Sequence, residues 1–177
     1  MTLIVCSLEK LPETIAARRP SHVVTLLEPS LMIEPVEGVA EANHLRLGVH
    51  DITTNSPGKT APDIALVQRL LAFTRRWDRS TPMLIHCLAG VSRSTASALV
   101  VACDHNPGVP ELEIAHALRR AAPHAMPNVL IIALADDLMG REGHLITAVE
   151  AMGVEDMTAY SVPFDLPVSY SVTAPRA

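Results

Sequence analysis

The chain has 177 residues, of which 49% are hydrophobic, 19% charged and only 3% aromatic, and its formal net charge is -5. This length predicts one domain, and the composition predicts an aliphatic core rather than a disordered chain. The acidic balance argues against general affinity for nucleic acid or acidic lipid, although it is compatible with a local basic pocket.

The sequence favours a reduced, cytoplasmic protein. It holds three cysteines, an odd number, and its opening residues contain neither a secretory apolar region nor a small-residue cleavage site. The longest apolar stretch, Ser94 to Cys103, is shorter than the ~20 residues that span a bilayer. No membrane segment is therefore expected.

Apolar runs and turn signals predict strands that alternate with helices in the first half of the chain. A strand is predicted at Leu3–Ser7, followed by a brief helical segment that ends at Arg19. The β-branched run His22–Leu27 lies between two prolines and predicts a buried strand. Glu28–Ala42 contains two prolines and a glycine, so a loop is expected there, and the alternation in Asn43–Val49 predicts a third strand.

The second half begins with a helix, a strand and another helix. Pro62 suits the first turn of a helix whose apolar residues repeat at helical spacing up to Asp78. Met83–Ile85 is a compact apolar strand, and Thr95–Cys103 is apolar nearly all round, which predicts a buried helix. Three more helices are predicted, at Glu111–Ala122, Asn128–Met139 and Glu142–Met152.

Alternating strands and helices followed by helices alone favour an α/β fold, with a mostly parallel sheet and helices on both faces. We expect this domain to span residues 1–152. The remaining residues, 153–177, contain three prolines, so an irregular or mobile C-terminal tail is expected.

Ligands bind at the carboxyl ends of the strands in such a sheet, and His50-Asp51 and His86-Cys87 both lie at such ends. The loop that runs from Cys87 to Arg93 leads into a helix, and the N–H groups of the loop and of the helix start form a concave anion site. The same positive potential favours the thiolate form of Cys87, which becomes a nucleophile. Arg93 can bind a phosphate with two parallel N–H donors and stabilise the charge that develops during phosphoryl transfer.

Further residues of the loop support this chemistry. Gly90 relieves the tight turn. Ser94 can donate a hydrogen bond to the sulfur as it leaves a phosphocysteine intermediate. His86 is expected to fix the loop through hydrogen bonds rather than to attack the substrate. The predicted substrate-binding positions are Leu88, Ala89, Gly90, Val91, Ser92 and Arg93.

The segment from His86 to Ser94, HCLAGVSRS, resembles the signature loop of the cysteine-dependent protein tyrosine phosphatases, closest to the dual-specificity form that ends in Ala-Gly-x-Ser-Arg-Ser. Arg119 to Asn128 is similar to the segment of that family that runs from an arginine to Pro-Asn and starts a helix. With the order of strands and helices, the resemblance covers residues 3–152 and suits a small, single-domain bacterial member. It implies a tyrosine-phosphatase-like fold.

The resemblance also implies a two-step mechanism, in which an upstream aspartic acid protonates the leaving oxygen and then activates water. Asp51, after a strand and before a polar loop, is the candidate, although it lacks the Trp-Pro-Asp triplet of the tyrosine-specific enzymes. A simple turn or cap residue is the alternative role for Asp51. Asp63 competes with it, but Asp63 stands in the first turn of a helix, where a carboxylate interacts with the helix dipole. Asn128 is assigned a supporting role.

The predicted partner is a phosphorylated protein or a small phosphate ester. Positions 88–92 carry no charge, whereas relatives that act on inositol phosphates commonly place a charged residue there. A single phosphate on tyrosine, serine or threonine is therefore the expected target. No cofactor and no metal are expected, because the eight histidines form no ligand pattern. The sequence carries no signal for an oligomeric state.

Two other functions could use the same loop: rhodanese-like sulfur transfer, and phosphate recognition without turnover. The Arg93-Ser94 pair and the Asp51 candidate favour hydrolysis over sulfur transfer. An intact Cys87 argues against a pure binder, which could dispense with the thiolate.

Outside the loop, the remaining cysteines and an acidic pair are expected to have structural roles. Cys6 and Cys103 suit packing, because cysteine is among the most buried residue types. Asp136 and Asp137 are expected on a solvated helix face. Cys87 is the thiol expected to be oxidised first, and the sequence leaves open whether either other cysteine resolves the oxidised form.

Overall fold

The computed structural model describes residues 1–153 and 162–170, and a five-stranded sheet lies at its centre. The strand order is β3-β2-β4-β1-β5, in which the first four strands are mutually parallel and the last is antiparallel to its neighbour. This arrangement confirms the predicted mostly parallel sheet. The strands are β1 (Thr2–Ser7), β2 (His22–Leu27), β3 (His44–Gly48), β4 (Met83–Cys87) and β5 (Phe164–Pro167).

Six α-helices in the described residues surround this sheet, and each lies within a few residues of its predicted position. Their bounds are α1 (Leu11–Arg18), α2 (Ile64–Thr74), α3 (Arg93–Asp104), α4 (Glu111–Ala121), α5 (Val129–Leu138) and α6 (His144–Met152). The predicted loop between β2 and β3 contains two single-turn 3-10 helices, at Pro29–Leu31 and Glu41–Asn43. None of the helices in residues 1–153 and 162–170 has the length and hydrophobicity needed to cross a membrane.

The two faces of the sheet bury different side chains. Alternate residues such as Val5 and Cys87 face a large core that holds α2 to α6. The residues that alternate with these along the strands, such as Cys6 and Leu84, face a smaller cluster, which is covered by α1 and part of the segment that follows β2. Both faces are therefore covered, and this explains why the parallel strands read as continuous apolar runs.

The prediction of an irregular C-terminal tail is wrong for residues 164–167. They form β5, in which Phe164 and Leu166 are buried against β1. Asn106 fastens the residues after this strand, because its side chain donates to the Val168 carbonyl and accepts from the Tyr170 N–H. Prolines suggested a break, but an edge strand tolerates them. The rest of the predicted tail, 154–161 and 171–177, lies outside the described residues.

The prediction of a solvated helix face is correct for Asp137 and wrong for Asp136. Asp136 is 5% exposed, and its carboxylate accepts hydrogen bonds from the Gly143 and Leu145 N–H groups, at 2.7 and 2.9 Å. It therefore satisfies free amides at the start of α6. Periodicity along α5 cannot reveal this contact, because the donors belong to the next helix.

Candidate active site

The loop between β4 and α3 is tighter than the sequence predicted. Cys87 is the last residue of β4, and Arg93 is the first residue of α3. Only residues 88–92 separate the predicted nucleophile from the helix that carries the predicted phosphate-binding guanidinium. The strand and the helix therefore hold both groups on rigid elements.

Three carbonyl groups of this loop are fastened from outside. Because the C=O and N–H of a trans peptide point in opposite directions, the amides of Ala89, Ser92 and Arg93 face the opposite side, which is the interior of the loop. Such a ring of inward N–H groups binds an anion. The outside bonds are Leu8 N–H to Leu88 O at 3.1 Å, Met126 N–H to Val91 O at 3.0 Å and Asn128 N–H to Ser92 O at 3.3 Å.

The sulfur of Cys87 lies inside this ring and is only slightly accessible, because the residue is 1% exposed. Its Sγ atom accepts from the Gly90 N–H at 3.3 Å and lies 3.2 Å from the Ser94 Oγ. Gly90 has φ +74°, a conformation that side-chain-bearing residues rarely adopt. The predicted roles of Gly90 and Ser94 thus agree with their positions beside the sulfur.

Arg93 is 5% exposed, and its guanidinium is only partly satisfied by the protein. Nη1 donates to the Val49 carbonyl at 2.7 Å, which fixes the side chain to the end of β3. Nε lies 3.7 Å from Asp51 Oδ2 but has no hydrogen-bond partner among the described residues. A buried donor without a partner is costly, and a bound oxyanion would satisfy it.

The structure brings Asp51 to this loop and keeps Asp63 away from it. The Oδ1 atom of Asp51 accepts from Ser92 Oγ at 2.7 Å and from Asn128 Nδ2 at 2.8 Å. Its side chain is 37% exposed. Asp63 is the N-cap of α2 and accepts from the Leu66 N–H at 2.8 Å. The carboxylate beside the anion site is therefore that of Asp51.

Asn128 connects the start of α5 to this carboxylate. Its Oδ1 atom caps the helix by accepting from the Leu130 and Ile131 N–H groups, both at 3.1 Å, while its Nδ2 donates to Asp51. One amide thereby orients the aspartate and stabilises a helix end. The sequence predicted a supporting role for Asn128, and this is the contact that could carry it.

The sequence analysis missed two residues near the site, Thr25 and His44, which form a network with the predicted His86. His86 Nε2 lies 2.7 Å from Thr25 Oγ1, and the same hydroxyl lies 2.8 Å from His44 Nε2. All three side chains are buried, and burial lowers the pKa values of His44 and His86 to about 4. Thr25 gave no signal of its own, because a lone threonine in an apolar strand is ordinary β composition.

The other two cysteines are buried, as expected for packing residues. Cys6 faces the smaller cluster, on the opposite side of the sheet from Cys87. Cys103 lies near the far end of α3. Burial raises the pKa of each of these two thiols to about 12.

A groove of about 590 Å³ adjoins the site on the side of Asp51. Its wall is formed mainly by apolar side chains, and Ser92 and Asn128 connect it to the anion-binding loop. The apolar residues that line it include Ile52, Met126, Pro127, Val129 and Met152. One arginine, Arg119, also lines the groove, but it is buried and its guanidinium donates to the Ala122 and Pro123 carbonyls.

Comparison with known proteins finds similarity at the level of structure. No protein-family profile and no curated protein matches the chain. DUSP15 superposes with a TM-score of 0.59 at 15% identity, over 85% of this chain and 92% of that one. Human DUSP28 superposes with a TM-score of 0.56 at 19% identity, over 85% of this chain and 92% of that one. PTPMT1 in complex with PI(5)P superposes with a TM-score of 0.57 at 15% identity, over 80% of this chain and 94% of that one.

These likenesses extend over most of each chain. At such low identity they establish the fold and leave the chemistry to the site itself. The chain therefore has the fold of the dual-specificity type of cysteine-dependent phosphatases, as its loop motif predicted.

Proposed function

We propose that this protein is a phosphomonoester hydrolase that acts through a phosphocysteine intermediate. One arrangement carries the proposal: the Cys87 sulfur lies within a ring of inward amides, with the buried Arg93 guanidinium between that ring and the Asp51 carboxylate. A nucleophile, an oxyanion site and an acid–base group are thereby combined in one cleft.

In the first step, the Cys87 thiolate attacks phosphorus, so an S–P bond forms as the P–O bond to the leaving group breaks. Arg93 and the loop amides stabilise the charge on the three remaining oxygens. Asp51 in its protonated form gives its proton to the leaving oxygen. In the second step, water attacks phosphorus, Asp51 takes a proton from it, and Ser94 donates to the departing sulfur. Inorganic phosphate is then released.

The proposed substrate carries one phosphate, on a protein side chain or on a small ester. The five loop residues 88–92 are uncharged, and the adjoining groove is mainly apolar. Arg119 lines that groove, but its guanidinium already donates to backbone carbonyls, so a second phosphate would find little positive charge to bind. PTPMT1, one of the similar structures, was crystallised with PI(5)P, which makes phosphoinositides the competing class.

The substrate class can be measured directly. We expect kcat/KM to be higher for phosphotyrosine and phosphothreonine peptides than for a polyphosphorylated inositol or a phosphoinositide lipid. Among the peptides, phosphotyrosine should be hydrolysed faster, because phenolate is the better leaving group. If either inositol compound is the best substrate, the argument from the uncharged loop is wrong.

The contacts around the sulfur favour hydrolysis over the two other functions. Sulfur transfer has no evident use for Asp51 beside the anion site, and a binding module has none for the Ser94 hydroxyl 3.2 Å from Sγ. Release of inorganic phosphate from an aryl phosphate, compared with thiocyanate formation from thiosulfate and cyanide, distinguishes the enzymes.

The covalent mechanism is tested by Cys87→Ser. We expect turnover of an aryl phosphate to fall by at least ~1,000-fold, because a serine hydroxyl is a far weaker nucleophile near neutral pH. Vanadate binding should remain, since the amides and Arg93 are unchanged. Cys103→Ser, another buried cysteine but remote from the loop, is the matched control and should keep its activity. Retention of a tenth of wild-type turnover by Cys87→Ser would contradict the mechanism.

A further inference from the structure

A buried polar network crosses the sheet beneath the Cys87 loop. It joins three strands, because Thr25 lies on β2, His44 on β3 and His86 on β4. Thr25 and His86 are completely buried, and His44 is 8% exposed. The Thr25 hydroxyl lies 2.7 Å from His86 Nε2 and 2.8 Å from His44 Nε2. A fourth group, the Val36 N–H, donates to His44 Nδ1 at 3.2 Å.

The partners in this network determine where each proton lies. His44 Nδ1 accepts from the Val36 N–H, so it carries no proton, and the neutral ring must be protonated on Nε2. That Nε2–H donates to Thr25. The hydroxyl proton of Thr25 then has one acceptor left among its contacts, His86 Nε2. His86 is therefore protonated on Nδ1.

The neutral state of both rings agrees with their surroundings. Burial lowers the pKa of each imidazole to about 4, and a positive neighbour, Arg46, lowers that of His44 further. The backbone of Cys87 acts in the opposite direction and raises the pKa of His86, which is the effect of a carbonyl oxygen that faces a ring N–H. This contact is weaker than a full hydrogen bond, because Nδ1 has no partner within such geometry in the described residues.

All donors in the network point toward the nucleophile. The order runs from Val36 N–H to His44, then to Thr25, then to His86, whose Nδ1–H faces the backbone of Cys87. Consecutive hydrogen bonds that point the same way polarise one another. The backbone that His86 touches leads into the anion-binding loop, so its orientation affects the amides that follow.

We infer that Thr25 and His44 are positioning residues, which hold His86 in the Nδ1–H tautomer and thereby fix the peptide of the nucleophile. The inference rests on the proposed role of Cys87. Neither residue touches the substrate, and both act through His86. Without the Thr25 hydroxyl, His86 Nε2 loses its donor and the ring can adopt the other tautomer, which presents no N–H to Cys87.

The tautomer is tested by NMR on the full-length protein. A long-range 1H–15N spectrum of the imidazole groups at pH 7 should show His86 protonated on Nδ1 and His44 protonated on Nε2. In Thr25→Val, the His86 nitrogens should change toward the other tautomer or toward an exchanging mixture. Wild-type His86 protonated on Nε2 overturns the inference, whether or not the protein hydrolyses phosphate esters.

The effect on the nucleophile is tested by alkylation. Thr25→Val should lower the rate of iodoacetamide modification of Cys87 and the kcat/KM for an aryl phosphate by about 5- to 10-fold each, the expected effect of losing one buried hydrogen bond. Thr25→Ser keeps the hydroxyl and should restore both. Thr74→Val removes an equally buried hydroxyl that donates to the Leu71 carbonyl, and it should leave both rates unchanged.

These outcomes separate the inference from the proposed function. If Thr25→Val matches Thr74→Val in both rates, the positioning role is wrong. If Thr25→Val does not fold, His44→Gln, which also breaks the donor order, must show the same loss of alkylation rate. Normal alkylation and tautomers in a protein that releases no phosphate would contradict the hydrolase and leave the positioning role intact.

Discussion

The Cys87–Arg93 loop and the segment that carries Asp51 meet at one site but are built differently. The loop lies between a strand and a helix, the side chains of Cys87 and Arg93 are buried, and three loop carbonyls accept hydrogen bonds from residues outside the loop. The Asp51 segment is exposed over most of residues 51–60. It is connected to the loop through the side chains of Ser92, Arg93 and Asn128.

This difference matches what each region would do in the proposed reaction. Oxyanion stabilisation requires donors that are already in place before charge develops, and buried, fastened peptides provide them. A general acid has to exchange protons with water between turnovers, so partial exposure suits it. In the proposed reaction, rigidity is therefore concentrated where charge would be stabilised, and solvent access where protons would be exchanged.

The largest expected effect on the loop side of this comparison, after loss of the nucleophile, comes from Arg93→Lys. One ammonium cannot replace the planar guanidinium that bonds to Val49 and faces Asp51, so kcat/KM should fall by ~100- to 1,000-fold. The loss should be similar for good and poor leaving groups, because Arg93 acts on the oxygens that stay with phosphorus. Steady-state kinetics with a series of aryl phosphates measure this, and Arg75→Lys, an exposed arginine paired with Asp104, is the control.

Asp51→Ala, unlike Arg93→Lys, should show a loss that depends on the leaving group. A poor leaving group needs the proton from the acid, so kcat should fall by ~100-fold for alkyl phosphates and by much less for activated aryl phosphates. The same substrate series measures the slope against leaving-group pKa. Asp63→Ala, the helix cap, should lose about 1 kcal/mol of stability with unchanged kinetics. If Asp63→Ala changes the slope and Asp51→Ala does not, the acid is wrongly assigned.

Asn128→Asp tests the contact between the start of α5 and the Asp51 segment. The new carboxylate still caps α5, but it cannot donate to Asp51 and adds a like charge beside it. We expect kcat for a poor leaving group to fall by roughly 10-fold with little change in melting temperature. Ser92→Ala removes the other donor without adding charge and should cost less. A large loss of melting temperature in Asn128→Asp would mean that only the cap was disturbed.

The last expected effect concerns the pH dependence of stability rather than activity, and it belongs to the region beneath the loop. Burial lowers the pKa values of His44 and His86 to about 4, whereas an unfolded chain binds protons at its histidines near pH 6.5. Between these values the unfolded state binds more protons, so stability falls as the pH falls. From pH 7 to 5, the free energy of unfolding should decrease by roughly 1–2 kcal/mol per ring.

Urea unfolding at pH 7, 6 and 5 measures this dependence. His44→Gln should flatten it, since one ring with a lowered pKa is removed, whereas replacing the exposed His116 by Gln should not. An equal slope in wild type and His44→Gln would show that His44 is not held neutral by the fold.

Local pattern was sufficient for most of the elements and for the loop at the centre of the candidate site. Cys87, Gly90, Arg93 and Ser94 lie within eight residues of one another, so a strand, a turn and a helix start fix their relative positions. The alternation of apolar runs likewise predicted the mostly parallel sheet. Periodicity failed where a partner lies elsewhere in the chain, as at β5, which is stable only against β1, and at Asp136, whose donors start the next helix.

The sequence by itself thus predicted the class of fold, which the structure confirms, and the loop that carries the proposed nucleophile, because short-range geometry defines each of them. Only the tertiary structure showed which of Asp51 and Asp63 lies beside the loop, since both are exposed aspartates near element ends and only Asp51 contacts loop residues. It also brought Thr25 and His44 beneath His86, through the strand order β3-β2-β4. Strand pairing rather than proximity along the chain brings these residues together, so no local pattern encodes such contacts.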